Sequence, residues 1–422
     1  MVIEDENGPK ARGKRLACST IRRQHSQEAM LNSWRTSSGI VSNITGKIIF
    51  SQETEFDLTH AKIDIKGMRK LAATYHVHKA SVPLDKEFPC SGDTIYGHFN
   101  PFEVDSSIGF YPGVGSADQY EAGDLSGKYG SLNSLDELSQ EFIDANLPVI
   151  GVNSIIGRSV VVHKRDNNFR WSCASIVPKI DKTSREILAI ATFSDPRSLV
   201  YGYVKFRQVE FFDGSLSDTW IEVSLKHRDP NKKISYGHKW NVYVNQVGSD
   251  AFNHIDSVRC VAGGFLWNPF FSNQDEFYVR ECSPNIPLKC AVGDLGGRNG
   301  PLIIGGERQI YSDPYLPLTG NYSVLNRALV ISMHNNSNTA LACANIKLDK
   351  HLISNVVVQK IPAFTVAKFM SHIREILSIP DFLAIAEVQK TREISNNECI
   401  QILVHFYGKF FVYKILFFFI QI

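Results

Sequence analysis

His76-Val77-His78 sits in a run of alternating polar and apolar residues. In an extended strand, residues i and i+2 face the same side, so both imidazoles can reach one ion. Taken alone, the pair is a weak signal and reads rather as two surface histidines on a polar face. Two further histidines stand in distinctive local contexts. His98 opens His98-Phe99-Asn100-Pro101, and His163 closes Gly157-Arg158-Ser159-Val160-Val161-Val162-His163. The chemistry this residue type offers is metal ligation through neutral ring nitrogens.

The elements that must position these side chains read as strands. Ala61, Ile63 and Ile65 alternate with polar residues, as do Ile221, Val223 and Leu225, and Gly, Pro, Asn and Asp cluster between such runs. Helical periodicity is nearly absent, apart from a short helix expected over 135–143 and an amphipathic helix over 364–377. The pattern also repeats. Cys90 and Cys173 are separated by the same interval as Cys260 and Cys343. Between them recur Asn100-Pro101-Phe102 with Asn268-Pro269-Phe270, and Gly123-Asp124-Leu125 with Gly293-Asp294-Leu295. Arg158 and Arg327 each precede an apolar run before the second cysteine. Ordered landmarks at a nearly constant offset indicate a tandem repeat. Short alternating strands with distant cysteines predict an all-β chain of tandem antiparallel β-sandwiches.

Length and composition bound the rest. A chain of 422 residues has room for roughly two to four domains. Its 43% hydrophobic and 21% charged residues describe an ordinary globular protein. A formal net charge of +2 with no basic, aromatic-interleaved stripe argues against nucleic acid as a partner. The charged N-terminus has no apolar core, so no signal peptide is read there. Yet the chain has 8 cysteines and sequons at Asn43, Asn321 and Asn335, which point to an oxidising, extracellular or cell-surface setting. Both ends therefore read as cut from a longer secreted product. Arg15-Leu16-Ala17-Cys18 matches the tail of a repeat, and the apolar stretch 410–422 is short and broken by Lys414. That stretch is read as an aberrant end, with a lipid-anchor signal as the other reading. Membrane attachment stays open.

The ordered segments of the first repeat resemble the copper/zinc superoxide dismutases. That family runs His-Val-His, a disulfide cysteine, His-Phe-Asn-Pro, Gly-Asp-Leu, Gly-Arg-apolar-Val-Val-His and Arg-x-x-Cys. Here these are His76-Val77-His78, Cys90, His98-Phe99-Asn100-Pro101, Gly123-Asp124-Leu125, the Gly157-to-His163 run and Arg170-Trp171-Ser172-Cys173. The resemblance implies a Greek-key sandwich, a Cys90–Cys173 disulfide and copper bound by His76, His78, His98 and His163. Four imidazoles suit an ion that cycles between two oxidation states. It implies that His98 is the histidine that releases copper on reduction and takes a proton. The resemblance also implies that Arg170 is the anion-guiding arginine, facing superoxide as substrate. The family's zinc loop differs: between His98 and Gly123 there is no histidine, and Glu121 stands where the second is expected. Asp124 remains and is read as a carboxylate that orients His76 rather than as a zinc ligand. The expected cofactor is one copper per chain, with no zinc, as in the zinc-lacking relatives. Only residues 164–169 separate His163 from Arg170, so the site is expected to be open to solvent.

In the second repeat Asn241, Tyr243, Leu266 and Ser332 stand at the ligand positions and Ala340 at the arginine, so no copper is expected. His238 and His334 lie near but off register. Cys260 and Cys343 pair by analogy; Cys282 and Cys290 are placed for a small extra disulfide, and the partners of Cys18 and Cys399 stay open. The expected organisation is 1–30 as the tail of a preceding repeat and linker and 31–180 as the copper-bearing sandwich. Residues 181–350 form a metal-free sandwich, and 351–422 a further repeat's start or a truncated segment. The functional expectation is an extracellular copper-only superoxide dismutase whose partners include neighbouring repeats. The competing reading is a non-catalytic copper-binding or scaffold protein, which has no need of the anion guide.

Overall fold

The computed structural model describes residues 2–4, 15–18, 26–37, 43–248, 255–272, 276–333 and 339–408. The 410–422 stretch, His334 and Asn335 lie outside them. The chain is all-β, built of antiparallel sheets with a few short helices.

In the first repeat one sheet has the order Val177–Pro178, Gln27–Leu31, Thr45–Gln52, Thr59–Lys66, Glu137–Asp144. The other runs Arg35–Thr36, Arg170–Ser175, Ser159–Lys164, Ala72–His78. Alternation decides what lies between them: in Thr59–Lys66 every second residue is buried. Ile48, Phe50, Ile63, Ile65, Tyr75, Val77, Val160, Val162 and Trp171 form the shared core.

The helix expected over 135–143 is instead the strand Glu137–Asp144, which pairs residue for residue with Thr59–Lys66. Its Leu, Glu and Gln residues favour helix locally, but ladder pairing at the sheet edge overrides that preference. A buried ion pair, Lys128 Nζ to Asp144 Oδ2 at 2.6 Å, ties this strand to the short helix Leu125–Tyr129.

The second repeat forms a seven-stranded sheet that curls around its own core. Its order is Trp240–Tyr243, Ala328–Ser332, Ala340–Leu348, Arg185–Phe193, Val200–Glu210, Thr219–His227, Gln309–Asp313. Trp240, Val223, Phe206, Leu329 and Ile346 fill its centre. The repeat's logic extends to buried charge, because Arg298 Nε pairs with Asp313 at 2.9 Å where the first repeat has Lys128 and Asp144. Disulfides Cys90–Cys173 and Cys260–Cys343 each join residues 83 apart. Cys282–Cys290 closes a small loop, and Cys399 is a free thiol.

Beyond residue 351, Leu352–Gln359, Cys399–Phe406, Ala384–Ala386 and Arg392–Ile394 make a small antiparallel sheet. The expected amphipathic helix is present as Val366–Leu377, capped by the Thr365 hydroxyl on Lys368 N–H. It buries Met370, Ile373 and Leu377. Among the described residues no helix is long and apolar enough to cross a membrane.

Candidate metal centre

The strand Ala72–His78 places Tyr75 and Val77 in the core and turns His76 and His78 to the opposite face. His163 comes from the neighbouring strand, where Thr74 pairs with His163 and His78 with Ser159. His98 is delivered by a loop, and three backbone hydrogen bonds explain how. Val77 N–H donates to Gly123 O at 2.7 Å, Phe99 N–H to Val77 O at 2.8 Å, and Gly123 N–H to Phe99 O at 2.8 Å. This closed ring of three residues joins the His-Val-His strand, the His98 segment and the Gly-Asp-Leu loop. Gly123 is required there, because a Cβ would stand 2.6 Å from Val77 O and 2.9 Å from Phe99 O. Beneath it the buried Arg158 guanidinium stacks 3.8 Å from the Phe99 ring centroid and donates to Lys79 O at 2.8 Å.

One ring nitrogen of each histidine is turned toward a polar neighbour. His78 Nδ1 lies 2.9 Å from Tyr96 O, and His163 Nδ1 3.1 Å from Asn168 O. His98 Nδ1 lies 2.8 Å from Glu121 Oε2, and His76 Nε2 3.5 Å from Asp124 Oδ1. The remaining nitrogens converge. One ligand atom from each of His76, His78, His98 and His163 lies within 4.8 Å of every other. His76 Nδ1, His78 Nε2 and His163 Nε2 are buried and have no hydrogen-bond partner. Orphaned buried nitrogens are costly unless something fills the space between them, and a metal ion does so. Burial pushes the His76, His78 and His163 imidazoles down to about 2, about 3 and about 4, with nearby imidazoles and Arg170 adding to it. They are neutral at pH 7, the form that ligates. The four-histidine, nitrogen-only donor set fits copper.

The sequence reading left Glu121 only as the residue in place of a histidine; the structure makes it the partner of His98. Its side chain is 15% exposed against 35% for His98. Its one sequence signal was an acid three residues ahead of Asp124 in a loop without histidine. Asp124 caps the helix Leu125–Tyr129 by accepting from Gly127 N–H at 2.7 Å, and burial raises its pKa against that bond. Arg170 stands across the hairpin from His163 as its strand partner, and Nη1 donates to Cys90 O at 3.4 Å. The tight turn between them, with Asn167 and Asn168 at positive φ, is what presents the Asn168 carbonyl to His163.

The second repeat retains this scaffold without the ligands. Val242, Trp267 and Gly293 form the same ring of backbone bonds, and Arg327 stacks 3.3 Å from the Trp267 ring centroid. Isolated bridges pair Asn241 with Asp294 and Tyr243 with Leu266, just as His76 meets Asp124 and His78 meets His98 in the first repeat. Ser332 pairs with Ala340 where His163 pairs with Arg170. His238 is turned to Ser332 O and Ser235 Oγ, away from a ligand role. Among the described residues the other cluster of potential ligands, Asp256, Cys260 and Cys343, is not a metal site because its two sulfurs are joined.

The family described as copper/zinc superoxide dismutase matches residues 44–186. A cell surface superoxide dismutase [Cu-Zn] 4 of Candida albicans is 32% identical over 91 residues, 22% of this chain and 36% of that protein. The chain thus spans about a third of the length of that relative. A superoxide dismutase [Cu-Zn] 2 of Mesembryanthemum crystallinum is 30% identical over 128 residues, covering 29% of this chain and 69% of that protein. A superoxide dismutase [Cu-Zn] 4 of Dictyostelium discoideum is 33% identical over 131 residues, covering 30% and 75%. Among solved structures, Candida albicans superoxide dismutase 5 with Cu(II) aligns at 26% identity and a TM-score of 0.30, over 37% of this chain and 95% of that one. The family match spans His76, His78, His98 and His163. With it, and with two relatives at 30% and 33% identity covered over 69% and 75% of their length, the chain belongs to the copper/zinc superoxide dismutase family.

Proposed function

We propose that this chain is a copper-only superoxide dismutase of the cell surface or extracellular space. Its one copper site is made by His76, His78, His98 and His163 in the sandwich of residues 31–180. The observation that carries this reading is the convergence of three histidines bearing orphaned, buried ring nitrogens with a fourth histidine, His98, one ligand atom of each lying within 4.8 Å of every other. Copper, when bound, supplies the one-electron couple by which two superoxides and two protons become oxygen and hydrogen peroxide. The protein residues supply the rest. His76, His78 and His163 hold fixed orientations through Asp124, Tyr96 O and Asn168 O. His98 is the most exposed of the four; its Nε2 is the atom placed to take a proton, while Glu121 holds the ring by Nδ1. Arg170, half buried beside the site, attracts the superoxide anion.

No zinc site is proposed. The loop from Phe99 to Gly123 offers Glu121 to His98 directly, where a second metal would otherwise be held by imidazoles. Residues 181–350 are proposed as a metal-free sandwich, since Asn241, Tyr243, Leu266 and Ser332 replace every ligand. Residues 1–30 and 351–422 are proposed as segments flanking the two sandwiches. An extracellular setting is supported by the disulfides and by the cell-surface relative. Exposed Asn321 and half-buried Asn43 are its candidate glycosylation sites. The retained but ligand-free second scaffold favours one other reading, a copper-binding scaffold without turnover.

Superoxide decay distinguishes the two. The copper-loaded chain should remove superoxide catalytically, and His163→Ala should lose both copper and activity. A chain that holds copper but leaves superoxide to decay as in buffer is a scaffold.

A further inference from the structure

Two of the carbonyls that shape the copper site belong to one stretch of chain. Tyr96 O orients His78 and Cys90 O holds Arg170, and both lie in the segment 81–96. Within it the only regular element is the four-residue turn Gly92–Ile95. Its inner side is fixed by the Cys90–Cys173 disulfide. Its outer side is gripped by one residue of the second repeat.

Arg308 N–H donates to Tyr96 Oη at 2.8 Å. Arg308 Nη2 donates to Ser81 O at 2.6 Å and to Thr94 O at 2.8 Å, bridging the two ends of the segment. Nη1 reaches Ser81 Oγ at 3.2 Å and Glu222 Oε1 at 3.3 Å. Glu222 is itself held by Tyr203 Oη at 2.7 Å and by Ser81 Oγ at 3.2 Å, so the guanidinium is aimed by a fixed carboxylate. The Arg308 side chain is only 15% exposed. A planar fork that joins two carbonyls and a carboxylate in a largely dry place is the use for which arginine is suited and lysine is not.

We propose that Arg308 is a positioning residue of the copper site. Through it, the metal-free second sandwich holds the 81–96 segment so that Tyr96 O fixes the His78 ring and Cys90 O fixes Arg170. This inference rests on the copper site proposed above. It gives the second repeat a role in turnover although it carries no ligand.

The test uses the full copper-loaded chain and its variants Arg308→Ala, Arg308→Lys and Tyr96→Phe. Each is followed by copper content, the electron paramagnetic resonance spectrum of Cu(II) and superoxide decay. Arg308→Ala should keep its copper, show an altered Cu(II) spectrum and lose roughly tenfold in rate, within the about hundredfold that 1 Å of misplacement can cost. Arg308→Lys, which lacks the second fork nitrogen that reaches Glu222 and Ser81 Oγ while the first bridges the carbonyls, should recover only part of the rate. Tyr96→Phe should shift the spectrum in the same direction by less. Wild-type spectrum and rate in Arg308→Ala overturn the proposal. If that variant does not fold, wild-type behaviour of both Arg308→Lys and Tyr96→Phe overturns it. A parent chain that binds no copper overturns the site and this role together. A parent with copper and turnover, beside variants that match it, overturns this role alone.

Discussion

Arg170 gives the sharpest test of the proposed chemistry, because its removal should change rate and leave the metal in place. It is the strand partner of His163, and neighbouring strand residues lie about 5 Å apart. A guanidinium at roughly 6 Å from a superoxide anion at the site contributes about 0.7 kcal/mol at a bulk-water dielectric and about 2.8 kcal/mol at an effective dielectric of 20. These bracket a loss of about threefold to about a hundredfold in Arg170→Ala. A half-buried group beside an open site belongs between those limits, near tenfold. Because the attraction acts on a diffusing anion, salt should slow the parent more steeply than the variant. The assay is direct observation of superoxide decay at two or three ionic strengths, with copper measured on the same samples. Equal rates and equal salt slopes with copper retained would refute the anion-guiding role. Loss of copper in Arg170→Ala would show that the residue holds the site rather than serving the substrate.

Two other expectations concern stability. Replacing Cys90 and Cys173 together by Ala removes a link spanning 83 residues, and should cost about 4.5 kcal/mol in the chain-entropy account, read as a shifted denaturation midpoint. The double variant should also lose turnover by freeing the Cys90 carbonyl from Arg170; unchanged stability and turnover would contradict both parts. In the metal-free chain, His163 stays neutral when folded down to about pH 4 but takes a proton when unfolded below its ordinary 6.5. The unfolded state therefore binds more protons in that window, and stability falls with falling pH by about 1.4 kcal/mol per unit for this residue. His163→Gln should lessen the acid loss of the metal-free chain by that amount between about pH 6 and 4.5; equal slopes would contradict it.

The histidine set was legible because a period of two puts His76 and His78 on one face, and short local motifs mark His98 and His163. The recurring Gly-Asp-Leu landmark was legible because a three-residue ring at Val77, Phe99 and Gly123 requires a glycine there, and Val242, Trp267 and Gly293 form the same ring of bonds. The orienting partners Tyr96 O and Asn168 O were not, since any residue type carries a carbonyl and only the fold decides where it points. Arg308 escaped for a different reason. It meets Ser81 and Thr94 from more than two hundred positions away, and no local pattern announces so distant a contact. The strand Glu137–Asp144 read as helix because an exposed edge strand is mostly polar and carries little alternation.

The most direct measurement of the central claim is the metal content of the purified full chain after loading with copper and zinc together, followed by removal of loosely held ions. One site of four imidazoles in the first repeat and none in the second predicts one copper per chain and no tightly held zinc. Two coppers would return a site to the second repeat, and one copper with one zinc would overturn the copper-only centre.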